Sequence, residues 1–426
     1  MPHGIALTGG TLIDGSGRAP QGESAVLICD GKIEAVGGKG ETCIPQGYEQ
    51  IDTTGKTVMP GIADMHVHMA GGWDGISSDF LGFQRYLNWL LYAGVTTVFD
   101  VGNVLPFAIQ QRDEVRAGRI SGPRILTTGP LIDGPDPRWH ALTSVVTSVS
   151  QIPGMVQRLH EAGVDALKAY QQLSLGQVAA IVNEGARYGL AVVLDSGRMN
   201  GCYDLMRHTG IKAWAHLDSL GPMMPQEIDY MVQHDVRQIT TLAVIEIYTM
   251  RRFRDMSFLE CPLIADTVPP HMLEEIRAWV EREFTAPSER RLRSAERLET
   301  AMRNALALHR AGVQLVAGTD APYPGVFQGE GIHHELELLV EAGLTPVEAI
   351  SCATANAAKL LGKESEWGTV APGLAADLLV IEGHPDRNIA DTRRIGMMIQ
   401  GGRIIDRAAL KHDPKQPDVR AVHCIS

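Results

Sequence analysis

The sequence predicts an α/β fold, a (β/α)8 TIM-like barrel with a small composite β-sandwich domain formed from both termini. Three observations support it. Amphipathic stretches that end at a glycine alternate with short β-branched runs, several of these runs close on an ionisable residue, and both flanks of the chain carry glycine-punctuated strands instead of that alternation. Alternating strands and helices imply parallel pairing with right-handed crossovers, and eight such units close into a barrel.

The composition is that of a globular enzyme. The 426 residues suffice for one large domain and a smaller one, and 44% of them are hydrophobic. A formal net charge of −12 argues against a nucleic-acid or membrane partner, because those partners require clustered lysine and arginine. No run approaches the roughly 20 apolar residues of a membrane span, and the N-terminus lacks the pattern of a secretory signal. We expect a cytoplasmic homo-oligomer that acts on a small molecule.

Each barrel strand is predicted from a short apolar run that follows a helix-ending glycine or a turn. The eight runs are 61–68, 95–101, 124–129, 165–170, 190–195, 212–217, 238–244 and 313–320. An open, doubly wound sheet is the alternative arrangement. In a barrel, side chains at the carboxyl ends of the strands meet at one mouth, where catalytic groups lie.

The flanks predict the domain organisation. Residues 1–58 and 367–426 have a similar strand-and-turn texture, and neither flank alone has enough strands for a stable sheet. We therefore expect the two flanks to form one composite β-sandwich domain, with the barrel at 59–366. The charged stretch at about 247–311 is predicted to be a helical insertion in the barrel.

The sharpest motif is His66-Val67-His68, at the end of the first predicted strand. Residues i and i+2 of a strand point to the same face, so both imidazoles enter the barrel together. Two such histidines can bind one metal ion, although ordinary hydrogen bonds could satisfy both rings.

Lys168 lies inside the apolar run DALKAY. A buried ammonium is costly, so its pKa falls or it finds a partner. Two readings stay open at this point: an ion pair with a barrel carboxylate such as Asp100, or addition of CO2 to the neutral amine. The resulting carbamate would be an anionic ligand able to bridge two metal ions.

His216 and Asp320 end the sixth and eighth predicted strands. Residues from different strands that converge on one barrel mouth are hard to explain by packing alone. Imidazole and carboxylate ligands together suit zinc, so we expect one or two divalent ions per chain. A carboxylate such as Asp320 can both bind a metal and accept a proton from water.

Several motifs together resemble the amidohydrolase superfamily, and most closely its imidazolonepropionase-like and Xaa-Pro or Xaa-Arg dipeptidase branch. They include TVMPGIADMHVH, DALKAY, GTDAP and GTVAPGLAADLLVIEG, and the resemblance covers nearly the whole chain. It implies a barrel with a composite sandwich, a zinc pair, and hydrolysis of an amide or similar bond. It also implies His66, His68 and Asp320 on one metal, His216 on the other, and carboxylated Lys168 between them.

The chain departs from this family at the fifth strand, which ends in Asp195 where the family has a histidine. We expect Asp195 to bind the second metal; the alternative is a substrate contact in a mononuclear site. The first functional hypothesis is hydrolysis of a small amide, N-acyl amino acid, dipeptide or cyclic amide. The altered fifth strand leaves open a lyase or isomerase, such as a decarboxylase or dehydratase.

Five further residues are candidates for substrate contacts. Arg138 and His140 follow the third strand, Tyr248 follows the seventh, and Arg198 follows the fifth. His333 lies in GIHHELEL, after the eighth. We expect His140 or Tyr248 to polarise a substrate carbonyl, and Arg138, Arg198 and His333 to bind the substrate. For each of them a surface or supporting role is the alternative.

Overall fold

The structure is a computed structural model that describes residues 4–75, 77–195, 197, 202–284 and 288–415. The N-terminal flank contains β1 (Ile5–Thr8), β2 (Thr11–Leu12), β3 (Ser24–Cys29), β4 (Lys32–Gly38), β5 (Glu49–Asp52) and β6 (Thr57–Pro60). The central strands are β7 (Ile62–Val67), β8 (Val95–Asp100), β9 (Arg124–Thr127), β10 (Leu131–Asp133), β11 (Thr143–Val145), β12 (Ala166–Ala169), β13 (Ala191–Leu194), β14 (Ala213–Ala215), β15 (Arg237–Ile239) and β16 (Leu315–Val316). The C-terminal flank contains β17 (Leu378–Ile381), β18 (Ile395–Gln400) and β19 (Arg403–Ile404).

The α-helices all lie between β7 and β17. They are α1 (Phe83–Tyr92), α2 (Leu105–Arg116), α3 (Ile152–Ala162), α4 (Leu175–Arg187), α5 (Cys202–Thr209), α6 (Pro225–Gln233), α7 (Leu242–Ile247), α8 (Pro262–Ala265), α9 (Pro270–Phe284), α10 (Ser288–Ala311), α11 (Glu330–Ala342), α12 (Pro346–Cys352) and α13 (Ala355–Leu360). The helices α8, α9 and α10 lie within the stretch 247–311 that the sequence predicts to be a helical insertion. In the part of the chain that the structure describes, no helix is long and apolar enough to cross a membrane.

The central strands form two parallel sheets. One has the order β7-β8-β9, and the other has seven strands in the order β11-β10-β12-β13-β14-β15-β16. Two backbone contacts connect the sheets: Asp165 N, just before β12, donates to Thr127 O of β9 at 2.8 Å, and Val67 of β7 forms a parallel bridge with Ala321, beyond β16. The mixed α/β architecture with a parallel seven-stranded sheet confirms the α/β part of the predicted fold class.

Local sequence signals explain several helix ends. Gly163 follows α3 with a φ of 85°, a left-handed conformation that costs a glycine little. At the start of α4, Ser174 and Gln177 form a reciprocal capping box that satisfies two backbone N–H groups. The glycine and the capping box therefore mark where α3 ends and where α4 begins.

The two flanks share a sheet. Its order is β19-β18-β17-β6-β2, and β17 pairs antiparallel with β6 so that Val380 lies opposite Val58. A second, four-stranded sheet has the order β4-β3-β1-β5. Buried side chains from both sheets, such as Val26, Val58 and Val380, pack into one apolar cluster. Only Gly61 separates β6 from β7, so this sheet leads directly into the first central strand.

Two predicted strands are wrong in part. The seventh ends at Ile239, because α7 begins at Leu242 within the range 238–244 that we expected to be extended. The carboxylate of Glu335 accepts hydrogen bonds from the N–H groups of Leu242 and Ala243, which starts the helix there. The eighth strand is regular only over β16, although the chain beyond it continues to hydrogen-bond with β7.

Candidate metal centre

The two histidines of the HxH motif and Asp320 lie together at the end of β7. Asp320 Oδ1 is 3.4 Å from His66 Nε2 and 3.0 Å from His68 Nε2, and each of the three residues offers a ligand atom within 4.8 Å of the other two. The His66 side chain is 1% exposed, whereas His68 is 24% exposed and Asp320 is 13% exposed. His66 is therefore the buried member of this group, and His68 and Asp320 lie on its solvent-accessible side.

Backbone contacts between the eighth and first strands hold this group in place. Asp64 Oδ1 accepts hydrogen bonds from the N–H groups of His66 and Thr319, and its Oδ2 accepts from the Thr319 hydroxyl at 2.7 Å. Gly318 makes the approach possible, because a Cβ there would lie 2.7 Å from the Cβ of His66. Burial raises the pKa of Asp64 to about 7, and the Thr319 hydrogen bonds oppose that rise.

On β12, the side-chain nitrogen of Lys168 faces the group formed by His66, His68 and Asp320. Its side chain is fully buried, and its Nζ lies 3.5 Å from His66 Nε2. Burial lowers the pKa of the Lys168 amine, and the carboxylates of Asp195 and Asp320 oppose that shift. A lysine in this setting is a better nucleophile than a solvated one, because more of it is unprotonated.

Asp195 and His216 form a second pair beside the first group. Asp195 Oδ2 is 3.2 Å from His216 Nε2, and the rings of His66 and His216 are 4.6 Å apart between centroids. The Nδ1 of His216 is 2.7 Å from the Thr241 hydroxyl, which orients the ring. Burial would raise the pKa of Asp195, but the charge and hydrogen bond of His216 hold that pKa below its ordinary value.

The structure thus brings together all six predicted metal ligands, His66, His68, Lys168, Asp195, His216 and Asp320. The ligand atoms of His66, His68 and Asp320 are spaced as in a divalent metal site, and those of Asp195 and His216 form a pair at similar spacing. Two ligand atoms that each lie about 2.0–2.2 Å from one ion are roughly 3–3.5 Å apart, and this is the spacing in both groups. Imidazole nitrogens mixed with carboxylate oxygens are ligands that zinc and related ions accept.

Comparison with known proteins identifies the family. The model of the Amidohydrolase family matches residues 57–405, which covers both parallel sheets and the strands β6, β17 and β18. The chain belongs to the amidohydrolase family. The match spans less than a quarter of the length of several curated relatives, among them an enamidase and an adenine deaminase.

Individual relatives of this amidohydrolase are distant. Dihydroorotase from Pelotomaculum thermopropionicum is 24% identical, over 89% of the chain and 88% of the relative. Enamidase from Eubacterium barkeri is 31% identical, but the match spans 22% of the chain and 24% of the enamidase's length. The crystal structure of a candidate prolidase from Bifidobacterium longum superposes with a TM-score of 0.77 and 26% identity, over 96% of the chain and 98% of that protein. A prolidase is an Xaa-Pro dipeptidase, so the predicted resemblance to that branch is confirmed.

Two tyrosines of the amidohydrolase lie near the ligands and were not predicted. Tyr170 follows Lys168 by two residues, and Trp139 Nε1 donates a hydrogen bond to its hydroxyl at 3.1 Å. Burial raises the pKa of both Tyr170 and Tyr323, and the nearby carboxylate of Asp320 adds to the rise. The spacing of two residues from Lys168, which puts Tyr170 on the same strand face, was the available signal.

The residues predicted to contact substrate lie in different environments. Tyr248 is 40% exposed, and its hydroxyl is close enough to add to the raised pKa of Tyr323. Arg138 is exposed and its guanidinium packs 4.9 Å from the centroid of the Trp139 ring. His140 is exposed as well, with Nε2 4.0 Å from Asp136 Oδ1.

The prediction for His333 is corrected, and that for Arg198 lies outside the described residues. His333 is fully buried on α11, with Nδ1 2.9 Å from the Thr392 hydroxyl and Nε2 2.8 Å from the carbonyl oxygen of Ala93. Both ring nitrogens are therefore engaged in connecting α11 to other elements. A substrate contact would require breaking one of these bonds.

Proposed function

We propose that this amidohydrolase is metal-dependent and cleaves a C–N bond of a small molecule. The substrate class is an amide, an N-acyl amino acid, a dipeptide or a cyclic amide. The observation that carries the proposal is the convergence of His66, His68 and Asp320 with the buried Lys168 at the ends of different strands. A structural core has no need for such a set of polar side chains in one place.

The residues have distinct roles in this proposal. His66, His68 and Asp320 would hold one divalent ion, and that ion would act as a Lewis acid toward water and a substrate carbonyl. Asp320, on the open side of the group, accepts the proton of the attacking water and passes it to the leaving nitrogen. Tyr248 or His140 orients the carbonyl oxygen, and Arg138 contacts the far end of the substrate.

Lys168 is proposed to carry a carbamate. Its neutral amine nitrogen forms a bond to the carbon of CO2 and releases one proton, which leaves an anionic group with two oxygens. The lowered pKa of Lys168 supports this reaction, because the unprotonated amine is the nucleophile. The carbamate would lie between the first group and His216, and would replace a buried cation by a ligand for two ions.

The fold that presents these residues is proposed to be a closed barrel. The bonds from Asp165 to Thr127 and from Val67 to Ala321 support closure of the two parallel sheets into one, over residues 59–366. The sheet shared by the two flanks supports a composite domain from 1–58 and 367–426.

A second candidate function is a lyase or isomerase on the same barrel, and Asp195 at the end of the fifth strand favours it. Products separate the two classes, because hydrolysis incorporates one solvent oxygen atom. A panel of dipeptides, N-acyl amino acids and cyclic amides is incubated in H2¹⁸O and analysed by mass spectrometry. Label in the carboxylate product supports hydrolysis, and turnover without label overturns it.

Metal dependence has its own test. Protein purified without a chelator is expected to hold at least one divalent ion per chain by elemental analysis, and to lose turnover when the ion is removed. His68→Ala should lose that ion. His234→Ala, at an exposed position, is the matched control and should keep it. Less than half an equivalent of any divalent ion in the unmodified protein would contradict the proposal.

A further inference from the structure

We propose that Asp195 completes a second, oxygen-rich metal position with His216 and Lys168, binding through Oδ2, and that this position favours Mn²⁺ over Zn²⁺ more than a histidine at residue 195 would. The inference rests on the proposed function, since it requires a filled first position. It goes further by assigning the two positions different ion preferences, set by one residue.

The hydrogen bonds of Asp195 distinguish its two oxygens. Oδ1 accepts from Gly197 N at 2.9 Å and from Gln171 Nε2 at 3.3 Å. Oδ2 is left to face His216 Nε2 at 3.2 Å. One oxygen is therefore anchored by N–H donors while the other is aimed at a histidine nitrogen, an arrangement typical of a carboxylate that binds a metal through one oxygen.

The ring of His216 is oriented toward Asp195 Oδ2. The Thr241 hydroxyl lies 2.7 Å from Nδ1, so the other ring nitrogen is directed at Asp195 Oδ2. His216 has a backbone φ of 65° and Thr241 a φ of 54°, values that non-glycine residues rarely adopt. Two neighbouring strand ends thus hold unusual conformations, one at the residue that presents the nitrogen and one at the residue that orients it.

The chemistry of the ligands sets the ion preference. Carboxylate oxygens are hard ligands that suit Mn²⁺, whereas imidazole nitrogens suit Zn²⁺. Asp195 and a carbamate on Lys168 leave His216 as the single nitrogen donor of the second position. The first position, with His66 and His68, keeps two. The first position is therefore the better zinc site, and the second the better manganese site.

The experiment measures metal content, not activity. Protein stripped with a chelator, and shown by circular dichroism to remain folded, is incubated with equimolar Mn²⁺ and Zn²⁺, desalted, and analysed for both elements. Mn²⁺ is also followed by electron paramagnetic resonance. The unmodified protein is expected to hold zinc at the first position and, at the second, a higher ratio of manganese to zinc than Asp195→His holds there. Asp195→His should take zinc at both, with zinc affinity of the second position raised about tenfold or more.

Two further variants keep the test informative if Asp195→His does not fold. Asp195→Asn should lose the second ion and keep the first, because a neutral amide oxygen is a weaker ligand. Gln171→Met removes one donor to Oδ1 at similar volume, and should weaken the second ion by about tenfold.

Asp133→Asn is the matched control. Asp133 is a fully buried carboxylate at the end of β10, and its Oδ1 accepts from Gly134 N and Gln172 N. Its replacement removes a nearby carboxylate without removing a proposed ligand, so the ratio of manganese to zinc should not change.

The possible failures are distinguishable. If the unmodified protein and Asp195→His hold the first ion and take manganese and zinc in the same ratio at the second, Asp195 is not a ligand and the inference is overturned. An unchanged metal content with a raised KM in Asp195→His overturns it as well, and assigns Asp195 to the substrate. If the unmodified protein holds no ion at either position, the proposed function itself fails.

Discussion

The backbone of Asp320 lies in the left-handed region, at a φ of 63°, and its N–H donates to the carbonyl oxygen of His66 at 2.7 Å. Aspartate tolerates this region better than most residues, because its short side chain can hydrogen-bond locally. The turn directs the carboxylate back across β7 to His66 and His68. At this scale, the position of the carboxylate depends on the main chain as well as on the side chain.

Asp320→Asn tests the chemical role of that carboxylate. The amide has nearly the same shape but cannot accept a proton from water, so kcat is expected to fall about 10²–10⁴-fold. The variant should fold and keep part of its metal. Steady-state kinetics on the best substrate of the panel, with elemental analysis of the same sample, check this. An unchanged kcat would assign proton transfer to His216 or Asp195.

Gly318→Ala tests the close approach of the eighth strand to the first. The added Cβ would lie 2.7 Å from His66 Cβ and 2.9 Å from His66 N, so the backbone has to shift. We expect the free energy of unfolding to fall by about 1–3 kcal/mol, with weaker metal binding. Denaturant unfolding and metal titration measure both effects.

Gly22→Ala is the control for this variant, because a Cβ at that exposed position would meet nothing within 4 Å. It should leave both quantities unchanged. Equal effects of the two substitutions would show that the approach of the strands is not the constraint.

At the scale of elements, the start of α7 links helix α11 to the candidate metal centre. Glu335 on α11 accepts hydrogen bonds from the N–H groups of Leu242 and Ala243. A carboxylate at a helix N-terminus satisfies unpaired N–H groups and interacts favourably with the helix dipole. Thr241, the preceding residue, contacts His216. The helix start therefore sets the position of the group that orients His216.

The pKa of Glu335 makes a prediction about stability and pH. Burial raises this pKa to about 7 from an ordinary 4.5, although hydrogen bonds from Thr240 and the helix lower it. The folded state thus binds more protons than the unfolded state between these values. The contribution of Glu335 to stability should decrease as the pH rises from about 4.5 through 7.

Glu335→Gln removes this titration, so the free energy of unfolding of the metal-free variant should decline less over the same range. The variant should be less stable at low pH, because its NH2 group cannot accept the hydrogen bond from Ala243. Denaturant unfolding at several pH values compares the two proteins. Parallel pH dependences would show that Glu335 does not titrate in this range.

The same elements show what the sequence could predict. The period of two along β7 is local information, and it correctly placed His66 and His68 on one face. The end of the seventh strand is not determined by local sequence, because the helix that replaces its last residues depends on Glu335, which lies far along the chain. His333 was misassigned for the same reason: its partner Thr392 lies on the C-terminal flank, and no spacing around GIHHELEL reveals that contact.

At the scale of the molecule, the sheet shared by the two flanks leads directly into β7, the strand that carries His66. Leu378 on β17 is fully buried and lies opposite Pro60, one residue before Gly61 and β7. Leu378→Ala leaves a cavity in the apolar cluster that the two flank sheets form. We expect the free energy of unfolding to fall by about 2–5 kcal/mol.

The control for Leu378→Ala is Ile404→Ala on β19. Ile404 is 45% exposed, so its truncation should change the free energy of unfolding by no more than about 0.5 kcal/mol. Thermal and denaturant unfolding of both variants provide the comparison. Comparable losses in the two would contradict the claim that the shared sheet is a stabilising core.

The pairing of Val58 with Val380 also has a consequence for how the chain is made. A ribosome that adds about 5–20 residues per second needs roughly 15–60 s to pass from one strand to the other. During that time β6 has been synthesised but β17 has not, so one edge of β6 lacks its native partner strand. Contacts between segments so distant in sequence form slowly, and unpaired strand edges attract other chains. The strand that leads into β7, with His66 at its end, is thus among the first parts of the protein to be synthesised and among the last to acquire its native neighbours.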